Sequence, residues 1–441
     1  MAAGLPGQLS YDSVIQLMEG RSGAYANWHP AVMSWLLGLC DAVVRGTGLF
    51  VVADALLFFG AMAGLLLLRP RAHWAAAVVA ALWIATPQVL IYQGTVWKDV
   101  LFANASCGGF VCLAAAASLW RRPRIRFALI GGALMLFALA ALARQNGLIV
   151  AVVGAGTLAI IAGRRGASQR WRMAALYGIG ALVAGGLVVL GGRAALAIRS
   201  VGTSGPFVQL QLLETYDVIG AAAKDPSFPL SVIHDDDEGL EAIIRTTGVR
   251  VWTPERNDTL GDAPALQDAL DDADPGTMQA QWRALIATRP GLYLRVRAEI
   301  FRWVFLTPDL KRCLPFEVGV DGPAPVMAEL GIAERFDARD AALEKYGNLF
   351  VGTPVLSHPV FAVLGLLALI VLLRRRPEDI AVAGMLAAGF AVTASFFVIS
   401  IACDYRYLYF PDLAAMLAVF HLALDPHEAW RALRRPWRAT P

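Results

Sequence analysis

Five arginine clusters punctuate this chain, and each closes or opens a long apolar run: Arg69/Arg71, Arg121 to Arg126, Arg164 to Arg172, Arg374 to Arg376 and Arg431 to Arg438. In a membrane protein such clusters stay on the cytoplasmic side, so they orient every run between them. A spanning helix needs about 20 apolar residues. Nine runs reach or approach that length: 48–68, 73–92, 100–120, 127–143, 147–163, 173–192, 355–373, 379–402 and 405–424. With every cluster kept inside, the threading has one self-consistent solution. The N-terminus is outside, the C-terminus inside and the long segment before residue 355 outside.

Composition agrees with that class. Hydrophobic residues make up 57% of the 441 and charged residues 17%, with a mean hydropathy of +0.55, whereas an ordinary soluble domain is roughly a quarter charged. The fold expected is an all-α polytopic membrane protein of about nine spans with a mostly helical extracytoplasmic domain. Its divisions are a first outer loop with an amphipathic surface helix (1–47), six spans (48–192), the outer domain (193–354), three more spans (355–425) and a basic cytoplasmic tail (426–441). Nucleic acid is not an expected partner, because the basic clusters are short and sit at span ends. The bilayer is.

The first 47 residues fall outside with no apolar run ahead of them to deliver them there. Either this loop translocates unaided or a first helix is missing from the start. Residues 30–46 are apolar but interrupted by Asp41 and Arg45, which suits a helix lying on the membrane surface. Cys40, Cys107 and Cys112 read as small packing residues. Cys313 and Cys403 both fall on the outer side and could pair in an oxidising compartment, although their separation fixes no geometry.

Segment 193–354 holds roughly two-thirds of the chain's acidic residues. HDDDEG at 234–239 and DALDDADPG at 268–276 are its extremes, and neither has calcium-loop ligand spacing; solvated turns are expected there. No cofactor is expected. A divalent cation is compatible with so acidic a segment, but no ligand set is legible.

Unusual chemistry gathers on the outer connections. Asp12 precedes an amphipathic stretch, and its carboxylate is suited either to general-base work on an acceptor or to capping a helix begun at Ser13. His29, within Trp28-His29-Pro30, opens the surface helix. In the short second loop, Lys98 is placed to grip a lipid phosphate or to snorkel, and Asp99 stands beside it. Arg144-Gln145-Asn146 joins two spans with almost no loop; an Asn-Gly turn accounts for Asn146 but leaves Arg144 over. In the last outer turn Arg406 is able to clamp a phosphate bidentately, among Tyr405, Tyr407 and Tyr409, which also suit an interfacial aromatic belt. Asp54 and Asp412 lie inside runs, where pairing with a basic neighbour is the default.

On these residues the chain resembles the GT-C superfamily of membrane glycosyltransferases, which includes protein O-mannosyltransferases and the aminoarabinose transferases of lipid A. The likeness rests on Asp12 followed by His29-Pro30 and a surface helix, the Lys98-Asp99 pair, the Arg144-Gln145-Asn146 turn and Arg406-Tyr407. It departs in lacking a helix before Asp12 and in carrying Ser13 where many relatives have a second acid. The resemblance implies Asp12 as the catalytic base and Lys98, Arg144 and Arg406 around the donor phosphate. It implies Asp99, His29, Asn146 and Tyr407 around sugar or acceptor. The donor would be a polyprenyl-phosphate sugar, the acceptor a component of the cell envelope, and the place the bacterial inner membrane with its active face outward. Two rivals stand beside it. One is a transporter or flippase of lipid-linked saccharides, which wants polar groups and broken helices at depth. The other is a scaffold whose working part is the outer domain.

Overall fold

A computed structural model describes residues 4–26, 29–166, 169–197, 208–374, 376 and 379–434. Trp28, Arg375 and the basic tail beyond residue 434 lie outside the described residues. Among the described residues the chain is built from helices, and β pairing is confined to isolated bridges. Two compact units form: 1–202 with 316–392 and 408–441, and 203–315 with 393–407.

The first unit begins with two short helices, α1 (Tyr11–Ser22) and α2 (Ala31–Val43). They cross where Gly20 faces Gly38, so closely that a Cβ on either would strike the other's backbone. Among the described residues six helices are long and apolar enough to cross a membrane. Five of them lie here, α3 (Gly48–Leu67), α5 (Lys98–Ser118), α6 (Pro123–Ala143), α7 (Leu148–Arg165) and α8 (Arg170–Ala197), with the shorter, bent α4 (Trp74–Ile84) between α3 and α5. Helix α4 breaks by 71° into Pro87–Gly94, at a proline that cannot continue the ladder. The central helix is α5, which packs on α3, α6 and α7. Its Ala103, Ala105, Gly108, Gly109, Ala114, Ala116 and Ala117 are small enough to let neighbours close in. The Phe137 ring of α6 fills the space that side chains at Gly109 and Gly154 would need. By contrast α8 leaves Leu176, Ile179, Val183, Leu187 and Leu190 exposed, an apolar face for lipid.

The second unit is a helical body of its own, with α9 (Val208–Lys224), α10 (Pro275–Thr288) and α11 (Pro290–Leu306) as its long elements. Tyr216, Ile219, Ile233, Leu285, Val296 and Ile300 are buried in its core. Arg297, fully buried, donates to Asp217 at 2.8 Å and to the Phe397 and Ser400 carbonyls. The acidic runs are used as helix caps: Asp237 accepts from Leu240 N at 3.0 Å and Asp274 from Gly276 N at 2.9 Å. A disulfide joins Cys313 to Cys403. This unit stops at residue 315, whereas the sequence carries a soluble-looking segment to 354; residues 316–354 belong to the first unit.

Returning to the first unit, α12 (Ala338–Asn348) is followed by α13 (His358–Leu372), α14 (Asp379–Ile399, whose last residues count with the second unit), α15 (Tyr409–Ala423) and α16 (Pro426–Arg434). Helix α14 is long and apolar enough to span; α13 is shorter, and the stretch from Tyr405 through α15 bends by 95° into α16. Among the described residues six helices of spanning length, or up to eight if each bent pair is one, make this a multi-pass membrane protein. Arg69, part of the first arginine cluster, is buried, with its guanidinium 2.8 Å from Asp379. The His421 Nε2 lies 2.6 Å from the same carboxylate oxygen of Asp379. That triad ties the ends of α3, α14 and α15 together.

Candidate functional site

The site is assembled on the short segment that leads into α1, in which Gln8 and Leu9 form isolated bridges. Gln8 N donates to the Gly94 carbonyl at 2.9 Å and Val96 N returns to Gln8 O at 3.0 Å. On the thread's other side Leu9 N reaches Gly319 O at 2.9 Å and Asp321 N reaches Leu9 O at 3.0 Å. The Gln8 side chain closes the seam: its Oε1 accepts from Gly319 N at 2.6 Å and Arg335 at 2.8 Å, and its Nε2 donates to Asp340 at 3.2 Å. Burial pushes the Asp340 carboxyl up, but hydrogen bonds from Arg335, the Asp337 amide and Gln8 outweigh it and hold the group below the ordinary range.

Helix α1 grows directly from this thread. Ser10 is its N-cap, with its amide donating to Ser13 Oγ at 3.4 Å. The helix therefore starts two residues before Ser13, and the capping role weighed for Asp12 falls to Ser10. Asp12, half-buried, lies in the first turn, where the aligned peptide dipoles favour a carboxylate. Ser13 Oγ donates to the Val96 carbonyl at 2.5 Å, and Trp97 Nε1 donates to Ser10 Oγ at 3.0 Å. The next residue is Lys98, the first of α5. Asp12 and Lys98 thus sit on two segments stitched together at their shared ends.

Asp99, in the first turn of α5 and 1% exposed, forms an ion pair with Arg144, which ends α6 in extended conformation. The two were expected on opposite sides of the chemistry, one near sugar and one near phosphate; the fold sets them against each other. Arg144 is followed by a single 3-10 turn, Gln145–Gly147, in which Asn146 is buried. Gly147 lies so tightly on Ala140 and Ala141 that a Cβ there has no room, which is why two spans can be joined with almost no loop.

Helices α1 and α2 carry their own charges. Glu19 accepts from Ser34 Oγ at 2.6 Å and from Ala26 N at 3.1 Å; burial raises its carboxyl above the ordinary 4.5 despite both bonds. Asp41 takes Arg21 bidentately, at 2.8 and 3.0 Å, and the Gly46 amide at 2.7 Å. These bonds overcome its burial and lower it. His29, buried, precedes α2. The structure therefore gathers Asp12, Lys98, Asp99, Arg144 and Asn146 on bonded segments of one unit. Arg406 and Tyr407 belong to the other, where Arg406 pairs with Asp404 at 3.0 Å and Tyr407 stacks on Phe396 at 5.6 Å.

Sequence reading did not assemble the polar groups within the spans. Asn104 Nδ2 donates to Asp54 Oδ1 at 3.0 Å and shares reciprocal 3.0 Å bonds with Gln93, which in turn donates to Tyr409 OH at 3.0 Å. Asp54 therefore bonds to an amide rather than the basic neighbour expected. Asp412 does meet one, the His358 ring at 2.8 Å. The available signal was polar residues inside apolar runs; what was missing was which of them meet. Among the described residues no three His, Cys, Asp or Glu side chains are grouped as a metal site requires. Comparison with protein-family models, curated proteins and solved structures finds no match.

Proposed function

We propose that the chain is a glycosyltransferase of the GT-C type, moving a sugar from a polyprenyl-phosphate carrier to an extracytoplasmic acceptor in the cell envelope with inversion. One observation carries the reading: the hydrogen bonds from Ser13 and Trp97 that hold the carboxylate-bearing first turn of α1 against the lysine-bearing start of α5. A base for the acceptor and a cation for the departing phosphate have to be neighbours, and these segments are. Asp12 takes the acceptor's proton as the acceptor oxygen or nitrogen attacks the anomeric carbon. The bond to the phosphate oxygen breaks, and that oxygen leaves as an anion next to Lys98. A phosphate leaving group needs no general acid, so a second catalytic carboxylate is not required. The Asp99–Arg144 pair fixes the floor beside them. Nine spans, the bacterial inner membrane and an outward-facing site complete the proposal.

The test is Asp12→Asn. The amide keeps shape but cannot accept a proton, and general-base catalysis is worth about 100- to 10,000-fold. Turnover with a polyprenyl-phosphate sugar should fall at least about 100-fold, with insertion, thermal stability and donor binding unchanged. Near-normal turnover returns Asp12 to a dipole-balancing role.

A transporter of lipid-linked saccharides is favoured by a different observation, the bonded set Asp54, Asn104, Gln93 and Tyr409 at a helix broken by 71°. Asp54 and Asn104 each lie six residues into their helices, about 9 Å deep. Reconstituted protein that moves a lipid-linked saccharide across vesicles, with loss in Asp54→Asn and none in Asp12→Asn, would establish that reading instead.

A further inference from the structure

Between Asp99 and Glu214 the chain has no acidic residue at all, yet that stretch holds eleven arginines, eight of them in two clusters, Arg121, Arg122, Arg124, Arg126, Arg164, Arg165, Arg170 and Arg172. The fold makes them one surface. Helix α6 packs on α5 and α8, α7 packs on α8, and Arg165 donates 2.8 Å to the Ala117 carbonyl at the end of α5. Arg126 is immobilised within the patch. Its guanidinium carbon lies 4.8 Å from the centre of the Trp120 ring and 4.6 Å from Phe127, with Tyr177 at 5.8 Å, and it donates to Trp120 O at 3.1 Å. Arg121, Arg122, Arg124, Arg164 and Arg172 are exposed around it. Immediately beside them begins the exposed apolar face of α8, with Trp171 at its edge.

We infer that this end of α5, α6, α7 and α8 is a binding surface for anionic phospholipid headgroups of the adjoining leaflet. The argument is charge complementarity joined to geometry. A row of guanidiniums with no acid in its own stretch of chain attracts anions, and guanidinium forks match phosphate oxygens in pairs. Acyl chains of the same lipids have the α8 face to lie along. An orientation signal alone needs the charges only during insertion and would not need Arg126 set in an aromatic box. The inference is independent of the activity proposed above.

The experiment uses the full chain purified into mixed micelles of phosphatidylcholine and phosphatidylglycerol, with retained lipids counted by native mass spectrometry and thermal stability followed in parallel. Wild type should retain phosphatidylglycerol in clear preference. Each basic side chain near an anionic surface is worth roughly five-fold, so R121Q/R124Q/R172Q should reduce that preference at least about ten-fold. Arg193→Gln, far along α8, should leave it unchanged. Equal retention of the two lipids by wild type overturns the inference, and so does a triple variant that keeps the preference. Displacement by inorganic phosphate at matched concentration also overturns it, since the site would then be a general anion site. Should the triple variant fail to insert, wild type decides alone. Its preference should collapse near about 1 M salt, where the screening length is about 3 Å, and persistence there overturns the inference.

Discussion

The Asp99–Arg144 pair decides how the floor of the site behaves when cut. Asp99 is buried at the start of α5, so removing Arg144 strands a carboxylate away from water. Arg144→Ala should destabilise the protein by about 3–5 kcal/mol, visible in a thermal melt, while Arg144→Met with Asp99→Leu should recover most of it. If Arg144→Ala leaves the melt unmoved and only weakens donor binding, Arg144 is a phosphate ligand first. Lys98, half-buried at the adjoining position, should act oppositely: Lys98→Ala weakens donor lipid binding roughly ten-fold or more, the worth of a charge-assisted contact, with little change in melting. Glu19 titrates with its own sign. Its folded carboxyl lies above the ordinary 4.5 because of burial, so the folded state holds the proton longer than the unfolded chain does. Its contribution is complete below about 4.5 and is lost as pH rises through the raised value. Glu19→Gln should flatten that part of the stability–pH profile, and an unchanged profile would show that another group titrates there.

The helices were legible to different depths. Run length and arginine punctuation are local properties, so α3 and α5 to α8 can be read directly from apolar stretches bounded by charge. The breaks are less visible: Thr86-Pro87 bends α4 by 71°, yet the run from 73 to 92 looks continuous because proline is apolar. The start of α1 was misjudged for a local reason. Ser10 and Asp12 are both good caps, and the fold uses Ser10, paired with Ser13 and held from outside the helix by Trp97, 87 residues away. Meetings such as Asp99 with Arg144 or Gln8 with Asp340 carry no sequence signal at all, since nothing near either residue names its partner. The α1–α2 crossing offers a test of contact at this scale. Gly38→Ala drives a methyl into the Gly20 backbone and should cost about 1–3 kcal/mol, with the α1 end loosening first in hydrogen exchange. Protection equal to wild type would mean the two helices can separate freely.

At the scale of the molecule, the disulfide and the arginines make independent statements about sides. Cys313 and Cys403 join within the second unit, and disulfides persist in oxidising compartments; arginine clusters are kept on the opposite side. Both bear on the outward facing proposed above for the second unit, and both can be tested in cells. Reporter fusions at Arg122 and Arg165 should therefore read cytoplasmic and fusions between 234 and 274 periplasmic. A membrane-impermeant maleimide should label Cys313 or Cys403 in intact cells only after reduction. Cytoplasmic signal from 234–274 would reverse the threading. Removing the bond with a Cys313→Ser, Cys403→Ser double variant should lower the stability of the second unit by about 2–4 kcal/mol.

The thread through Gln8 and Leu9 has a consequence in time. Its hydrogen bonds run to Gly94 and Val96 on one side and to Gly319, 311 residues from Gln8, on the other. A ribosome adding about 5–20 residues each second needs roughly 15 to 60 seconds to deliver the second set after Gln8 has been made. Until then this segment is held on one edge only, waiting beside membrane helices already in place. Its docking waits for residue 319 and beyond, so a nascent chain stalled before that point should present these residues to protease even though every helix up to α8 has been inserted.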